Sequence, residues 1–503
     1  MPPSIYSFIK SEENSFQTDE VRVGDNWSWN FRHHVQMIFH LKNGKFFTGL
    51  DNWLRAFKNI MEPILNLSYW MEDIEVKDIS FYIESENGRE LSFLVKKYHE
   101  EVFVKKHDID TLLDEITESD VDYGGVLVQS ADTPQGVEVL PLNTIAFCDQ
   151  TDIMSGVIGF KHSFSPSKLR QMSKVGWGNE KNGATITLDD LITLATQDKD
   201  AVGMTGQPKN KTPGKNIDVY ILRGDLPEHY LEDNNNMEDY FPQLQIVAFY
   251  TSKDDKREGV ILYRQKETDE NMWFHTSHKV SGRALGRGMG EALLHPQIWE
   301  NFLTIHKMNA LEAGSKSPLW TDDENFPDKN KIKDQENLEM NVIAKGSNIG
   351  LIPTLNSNQI QLFSNSINEW YEHAQLTGSA FDPVLGKQAA SGTTFRGQER
   401  VVTQGRGLHA RRQGQRAKFV ELLYRKKFIP DMVKEITRGK EFLASLTADE
   451  MGWVADRLAI KYANSKMIDM KLMDEEPTEE IKQQLLQEYK QDFYKKGNKH
   501  LLK

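Results

Sequence analysis

Four glycines between Gly282 and Gly290 come nearest to a recognisable chemical motif in this chain. Glycine-rich loops bring backbone N–H groups close to phosphates, so such a stretch could bind a nucleotide. The run Gly286-Arg-Gly-Met-Gly290 lacks the last step of G-x-G-x-x-G, and no G-x-x-x-x-G-K-S/T occurs in the chain. The spacing therefore favours a flexible entry into a helix over nucleotide binding.

Other titratable residues lie close together in sequence and could bind a metal or move protons: His33, His34, His40, Asp120, Asp122, Asp189 and Asp190. No cysteine or carboxylate pattern completes a metal site around the histidines. Carboxylate pairs of this kind are expected by chance in a chain with 74 acidic residues. No Ser/His/Asp or Cys/His spacing stands out either. We expect structural roles for these residues, and neither a catalytic centre nor a cofactor or metal.

The clearest chemical signal is electrostatic, and it lies between residues 346 and 427. No Lys or Arg occurs from Gly346 to Gly386, although the chain contains 61 of them. After a loop the charge inverts, and only Glu399 and Glu421 oppose a series of cations: Arg396, Arg400, Arg406, Arg411, Arg412, Arg416, Lys418, Arg425, Lys426 and Lys427. This distribution predicts two helices, joined by a flexible loop, beside a polyanion.

The cation-free segment has a helical pattern. Apolar residues recur at steps of three and four: Ile360, Phe363, Ile367, Trp370 and Ala374. Such a seam predicts a helix over 357–377 that packs on neighbouring helices and ends at Gly378. Its other faces carry Asn, Gln, Ser and Glu, so its exposed surface offers hydrogen bonds without positive charge.

The basic segment 396–427 has two interpretations, a solvated helix face or a surface beside a polyanion. Its glycines are Gly397, Gly405, Gly407 and Gly414. Each costs a helix about 1 kcal/mol relative to alanine, which argues against a helix optimised only for solvent.

Composition bounds the remaining possibilities. At 503 residues the chain is long enough for two to four domains, and its 38% hydrophobic and 27% charged content is that of a globular protein. The net charge of -13 repels nucleic acid on average, so contact with DNA must come from local patches. Cys148 is the single cysteine, which excludes an internal disulfide. The start lacks the pattern of a signal peptide, and no run of about 18 apolar residues occurs, so we expect a soluble protein.

Local patterns then predict the elements. The polar and acidic residues 1–25 predict a loose N-terminal arm. Most of residues 177–215 are predicted to form a surface insertion. Helical spacing appears at 53–64, 88–105, 108–118, 296–313, 447–460 and 477–493, with Pro296 in a first turn and Pro430 as a break. Strand patterns appear at 74–83, 122–129, 137–141, 217–222, 244–250, 258–263, 340–344 and 349–352.

The order of these parts resembles the portal protein of tailed double-stranded DNA bacteriophages, the head-tail connector ring through which the genome is packaged and ejected. The resemblance covers about residues 30–503. It rests on Arg283-Ala-Leu-Gly-Arg-Gly-Met-Gly-Glu-Ala-Leu293 before a helix, a second helix ending in Leu376-Thr-Gly378, and Ala389-Ala-Ser-Gly-Thr-Thr-Phe-Arg396 opening a long helix. The acidic start and the short C-terminal part depart from the family and leave the contacts of that part open.

The resemblance implies an α+β, multi-domain fold with a mixed wing, a helical stem hairpin carrying a small α/β clip, a long helix and an all-helical crown. The implied boundaries are 1–26 for an N-terminal arm, 27–290 for the wing, 291–318 and 355–378 for the two stem helices, 319–354 for the clip, 379–393 for a tunnel loop, 394–430 for the long wing helix, and 431–503 for the crown.

The resemblance also implies sites and partners. The channel wall would present Asn358, Gln361, Asn365, Asn368 and Glu372, followed in the tunnel loop by Lys387 and Gln388. The clip would dock partners through Trp320, Asp322, Asp323, Glu324 and Phe326. Implied partners are further copies in a ring of twelve, double-stranded DNA, a large terminase ATPase, a head-to-tail adaptor, tail proteins and the major capsid protein. The twelve copies follow from the resemblance alone.

Two other functions stay open at the level of sequence. A DNA-processing enzyme would grip its substrate with residues 396–427, although no metal or nucleotide motif accompanies them. A structural head-to-tail adaptor would need no DNA channel.

Overall fold

The computed structural model describes residues 4–23, 27–44, 57–82, 88–130, 136–196, 216–232, 236–251, 257–267, 271–315, 319–321, 349–351, 357–380, 395–438, 448–472 and 478–496. Internal contacts divide the chain into two compact units. The first comprises Met1–Gln36, Tyr69–Gly288 and Gly407–Lys503, and the second comprises Met37–Ser68 and Met289–Arg406.

Helices make up most of the described chain. They are α1 (Ile5–Thr18), α2 (Phe31–Lys42), α3 (Met61–Glu72), α4 (Gly88–Tyr98), α5 (Val104–His107), α6 (Ile109–Tyr123), α7 (Pro166–Gln171), α8 (Leu188–Thr196), α9 (His229–Glu232), α10 (Met289–Ser315), α11 (Ser357–Thr377), α12 (Phe395–Leu423), α13 (Ile429–Arg438), α14 (Ala448–Leu472) and α15 (Glu479–Lys496). Two π-helical turns, His99–Phe103 and Tyr424–Phe428, follow α4 and α12.

The strands form antiparallel sheets. They are β1 (Val21–Arg22), β2 (Ser28–Trp29), β3 (Gly125–Ser130), β4 (Val137–Leu140), β5 (Ile145–Phe147), β6 (Ile158–Phe164), β7 (Ile217–Pro227), β8 (Tyr240–Thr251), β9 (Arg257–Lys266), β10 (Met272–Thr276), β11 (Leu319–Thr321) and β12 (Ile349–Leu351). The sheet orders are β1-β2, β10-β3-β4, β5-β6-β7-β8-β9 and β11-β12. This mixture of helix and antiparallel sheet agrees with the predicted α+β class.

The five-stranded sheet of the first unit is covered on both faces. Successive residues of a strand point to opposite faces, so neighbours in β7 meet different helices. Val219 packs in a core with Leu191 of α8. The hydroxyl of Tyr220 donates to Glu13 Oε2 of α1 at 3.1 Å. The predicted strands at 217–222, 244–250 and 258–263 are confirmed as the three consecutive strands β7, β8 and β9.

Two predictions for this region are wrong. The residues read as a loose arm contain α1, whose N-cap Ser4 accepts a hydrogen bond from the Ser7 amide. Ile9 and Phe16 of that helix are buried, because they lie on one side despite the acidic residues between them. Within the predicted insertion, α8 buries Leu188 and Leu191 in the core of the sheet. The rest of that insertion, 197–215, lies outside the described residues.

A second core in the first unit joins distant parts of the chain. It contains buried residues of α6, β3, the basic helix and α14, among them Leu113, Val126, Phe419 and Leu458. The predicted helices at 88–105 and 108–118 and the strand at 137–141 are confirmed here. The predicted strand at 74–83 is wrong, because a 3-10 turn at Val76–Asp78 interrupts it.

The glycines near residue 286 serve close backbone packing. Gly124 ends α6 with a φ of 74°, and the amide of Gly286 donates to its carbonyl at 3.2 Å. A Cβ at Gly286 would lie 1.8 Å from the Ser277 carbonyl oxygen, and one at Gly288 would lie 2.5 Å from the Gly124 nitrogen. Side chains are therefore excluded where these two backbones meet. The expected flexible entry is instead a closely packed loop.

The second unit contains a helical hairpin, α10 and α11. The helix predicted at 357–377 has these same bounds. The helix predicted at 296–313 begins earlier, at Met289, so the prediction that Pro296 stands in a first turn is wrong. Strands β11 and β12 pair between the two helices in sequence, with Leu319 opposite Leu351. The strand predicted at 340–344 lies outside the described residues.

The C-terminal part is helical in its described residues, as predicted. Pro430, however, lies inside the helical run that continues through α13 and does not break it. The π-helical turn immediately before it adds a residue to the helical turn, and such bulges relieve the missing N–H and the ring clash of a proline. Tyr462 of α14 contacts Tyr489 of α15, with ring centroids 4.9 Å apart.

Candidate functional site

Helix α11 carries its apolar seam and its polar residues on different sides, although Leu362 and Leu376 are also exposed. Ile367 and Ala374 of the predicted apolar seam are buried. The five residues predicted for a channel wall are all exposed: Asn358, Gln361, Asn365, Asn368 and Glu372. At 3.6 residues per turn they fall within an arc of about 80°, centred about 160° from the seam. The helix therefore presents one continuous polar stripe, which we call the polar face.

The charge on this helix is neutral to negative. Its sequence contains no Lys or Arg, and Glu369 and Glu372 are exposed. A polyanion that passes the polar face therefore meets hydrogen-bonding groups and carboxylates, and no permanent positive charge.

Aromatic stacking holds α11 against α10. The rings of Trp299 and Trp370 are parallel to within 8°, with centroids 6.1 Å apart. The interhelix contact is therefore made by the seam and leaves the polar face uncovered by α10.

The end of α11 is fixed by backbone geometry. The amide of Ala380 donates to the Gln375 carbonyl at 2.9 Å, and that of Ser379 to the Leu376 carbonyl at 3.2 Å, which is a Schellman motif. Its left-handed residue is Ser379, with a φ of 51°. Gly378 is required for a different reason, since a Cβ there would lie 2.3 Å from Ile64 Cγ2.

Buried polar residues of α10 position the start of α3. The Oε1 atom of Gln297 accepts from the amides of Ile60 and Met61 at 2.8 and 3.0 Å, and its Nε2 donates to the Lys58 carbonyl at 2.8 Å. Lys58 Nζ lies 3.2 Å from Glu300 Oε1, and burial raises the pKa of that carboxyl group. These contacts were not predicted from the sequence. The signal for them is that Gln297 and Glu300 lie on an otherwise apolar side of their helix.

The other predicted site residues fall into two groups. Trp320 lies in β11 opposite Gly350. Outside the described residues are Asp322, Asp323, Glu324, Phe326, Lys387 and Gln388. Their roles stay predictions.

The cations of α12 do not form one solvated face. Arg396 and Arg400 lie in the first two turns of the helix. Arg406 and Arg411 are exposed, Arg412 is half-buried, and Arg416 is fully buried. This corrects the expectation that the segment offers all its charge to a partner.

Arg416 is buried because it pairs with two carboxylates. Its Nη2 lies 2.9 Å from Glu72 Oε2 and 2.8 Å from Asp120 Oδ2. Its Nη1 donates to the Glu72 carbonyl at 2.7 Å. His409 adds a contact from its Nδ1 to Glu72 Oε1 at 2.8 Å. These contacts connect α12 to the end of α3 and to α6, a structural role for Asp120.

The remaining carboxylate candidates also have structural partners. Asp122 accepts from the hydroxyl of Tyr69. Asp189 pairs with Arg170 Nε at 3.0 Å, and Asp190 accepts from the Thr187 hydroxyl at 2.7 Å. Across the described ranges, no group of three or more His, Cys, Asp or Glu residues is arranged to hold a metal.

Comparison of the chain with protein-family models and with curated proteins finds no match. Within the described parts of the chain, no helix combines the length and the apolar character that crossing a bilayer requires.

Proposed function

We propose that this chain is the portal protein of a tailed double-stranded DNA bacteriophage. In this role it forms a ring at one capsid vertex and encloses a DNA translocation channel for viral genome packaging and ejection. The observation that carries the proposal is the polar face of α11, which is exposed, continuous and free of Lys and Arg.

The physical argument concerns adhesion. Each Lys or Arg that neutralises a phosphate releases counterions and raises affinity, with a slope of about 0.9 per contact in log affinity against log salt. A duplex that must slide through a ring moves best past a wall without such contacts. Asn and Gln side chains can exchange hydrogen bonds with phosphates and water at little net cost.

The hairpin supports the proposal in a second way. The two helices α10 and α11 enclose β11 and β12 in sequence, which is the order expected for a stem that carries a clip at its tip. The clip would dock the large terminase ATPase during packaging and the head-to-tail adaptor and tail proteins afterwards. The wing and crown would contact the major capsid protein.

The proposed protein is not an enzyme, because the force for translocation comes from the separate terminase. It belongs to the virion at the portal vertex, and to the host cytoplasm during assembly. The copy number of twelve, a homododecamer, follows from resemblance to the family.

The basic helix gives little support to the alternative function, a DNA-gripping enzyme. Arg416 is engaged by Glu72 and Asp120, and Arg412 is half-buried beside them. A cation already neutralised by buried carboxylates has little affinity left for phosphate.

Negative-stain imaging of the purified protein tests the proposal. Rings with a central hole are the expected result. Monomers that cleave DNA when magnesium is added would indicate a DNA-processing enzyme instead. Closed assemblies without a hole would indicate a structural head-to-tail adaptor. Packaging of DNA into empty capsids that contain this protein, with purified terminase, then tests the channel itself.

A further inference from the structure

A groove lies beside α12 in the first unit, with a volume of about 1130 Å³. The segment 74–82 forms one wall, and α12 with the π-helical turn after it forms the other. Gln413 Nε2 donates to the Asp73 carbonyl near one end, and the rings of Phe81 and Tyr424 have centroids 6.0 Å apart near the other. Between these two levels the helix rises by about 16 Å, and the segment follows it over that length. We call the space between them the α12 groove.

The end of the segment has the form of a strand without a neighbour. Ile79 is extended, with a φ of -83° and a ψ of 120°. Ile79 and Phe81 are half-buried while Ser80 and Tyr82 are exposed, which is the alternation of a strand. In the described part of the chain, the amides of Ser80, Phe81 and Tyr82 make no hydrogen bond. A strand edge with free backbone groups is a template for a further strand.

The helix offers a floor that is low enough for a second backbone. Ala410, Gly414 and Ala417 line the groove at steps of four and three, and all three are exposed. A Cβ at Gly414 would meet no described atom within 4 Å. Val420 and Ile429 continue the lining with apolar side chains. These small residues leave room for a chain to lie directly on the helix, with apolar contacts further along it.

One charge of the groove lining has no partner among the described residues. Glu421 and Arg425 pair with each other at 2.8 Å, so together they are neutral. Asp78 is exposed, and the neighbouring Lys77 pairs with Glu75 instead. A cation on the occupant of the groove would complement Asp78.

We propose that the α12 groove binds an extended segment of a partner protein, which adds a strand to residues 79–82 and places a lysine or arginine beside Asp78. In this mode of recognition, backbone hydrogen bonds give affinity and alternate side chains give specificity. At about 3.3 Å per residue, five extended residues match the groove length of about 16 Å. A helix would not satisfy the free amides of Ser80 and Tyr82, because its own backbone groups are bonded internally. The binding site lies within one chain and does not depend on the proposed ring.

The probe is a fluorescein-labelled hexapeptide of alternating valine and lysine, and its binding to the whole chain is measured by fluorescence anisotropy. Gly414→Leu fills the floor and should weaken binding about tenfold or more, because the new side chain occupies the space of the peptide. Gly407→Leu is the matched control on the same helix: Gly407 is also exposed with open space at its Cβ, and it lies outside the groove lining. This control should bind as the wild type does. Asp78→Asn should weaken binding up to about fivefold, the range of an exposed ion pair.

Hydrogen exchange followed by mass spectrometry tests the added strand, since the amides of residues 80–82 should exchange more slowly when the peptide is bound. No saturable binding up to about 1 mM peptide, or equal affinity in Gly414→Leu and the wild type, would overturn the proposal. Binding without slower exchange would mean that the occupant is not a strand, and loss of self-association in Gly414→Leu would make the groove a contact between copies. Either result also overturns it. Circular dichroism checks the fold of each variant, and Ala417→Leu on the same floor replaces Gly414→Leu if that variant does not fold.

Discussion

Arg416 is surrounded by more charge than it carries, which makes its loss unusually costly. Glu72 and Asp120 are both buried and both contact its guanidinium group. Arg416→Met removes the cation and leaves two carboxylates in a dry site. We expect the free energy of unfolding to fall by about 3–5 kcal/mol, the cost of breaking a buried pair from one side. Denaturant unfolding followed by tryptophan fluorescence measures the change.

The matched control is Arg411→Met on the same helix, because Arg411 is exposed. Exposed substitutions change stability by about 0.5 kcal/mol or less. If the two variants unfold at the same denaturant concentration, the buried network contributes nothing.

His99 makes the fold sensitive to acid. Burial lowers its pKa to about 4, and its Nε2 contacts the Tyr424 hydroxyl at 2.8 Å. The folded state therefore binds this proton less well than the unfolded state. Its contribution to stability is complete above pH 6.5 and is lost as the pH falls towards 4, amounting to about 3 kcal/mol. His99→Gln keeps a polar side chain and does not titrate. The difference in unfolding midpoint between wild type and variant should shrink or reverse from pH 7 to pH 4.5, and an unchanged difference would contradict the assignment.

Residue-level roles could be predicted from sequence only where they depend on local periodicity. The exposure of Asn365 and Asn368 follows from their place on the helix away from the apolar seam that contains Ile367. The burial of Arg416 does not, because its partners lie 296 and 344 residues away in the chain. The sequence of a helix rich in arginine does not distinguish side chains that are solvated from those that are paired in the core.

Two π-helical turns face each other in the first unit. His99 and Tyr424, their first residues, are joined by a hydrogen bond, and Phe103 and Phe428, their last, have ring centroids 6.1 Å apart. The second turn sets the rotation of α13, where Glu435 accepts from the Tyr98 hydroxyl at 3.0 Å and contacts His107 Nε2 at 2.8 Å.

Deleting Lys426 should convert the second turn to α-helix. Because this turn holds one residue more than an α-helical turn, the residues after the deletion keep their orientation, and Glu435 stays with Tyr98 and His107. We expect the free energy of unfolding to change by about 1 kcal/mol or less. Lys426→Ala keeps the residue count and is the control. Thermal unfolding of both variants measures the change, and a midpoint of the deletion variant far below that of the control would mean that the π-helical turn itself is needed.

Whole elements were predictable where one rule dominates. Helix α11 has an unbroken seam and no proline, and its bounds were correct. The predictions for α10 and α13 were wrong because each helix contains a proline. Packing tolerates Pro296 inside α10, and the π-helical turn before α13 tolerates Pro430. The residues at 74–83 have the alternation of a strand but contain a 3-10 turn. Alternation of apolar residues does not by itself supply a neighbouring strand to pair with.

At the scale of the whole molecule, net charge and local charge act in opposite directions. The chain carries -13, so copies gathered in a ring repel DNA from their walls. Arg411 and Lys418 are exposed cations on α12, so the repulsion is not uniform. The channel wall is the place where added positive charge should matter most.

Asn365→Lys with Asn368→Lys places two cations per copy on the polar face. Each phosphate engaged steepens the salt dependence of DNA binding by about 0.9 in log–log slope. The duplex should then adhere to the wall, so packaging in vitro should slow or stall at low salt. It should recover partly as salt rises, because screening shortens to roughly 8 Å at 0.15 M. Ring assembly should not change, since both residues lie on the exposed polar face and away from the seam that packs on α10.

The control is Asn365→Ser with Asn368→Ser, which alters the same positions without charge and should package at the wild-type rate at every salt concentration. This control separates adhesion from a general defect, because a disturbed helix slows packaging in both variants and at all salts. Only adhesion is specific to the lysine variant and relieved by salt. If the lysine variant packages as fast as the wild type throughout the salt series, α11 does not face DNA, and the observation that carries the proposed function loses its meaning.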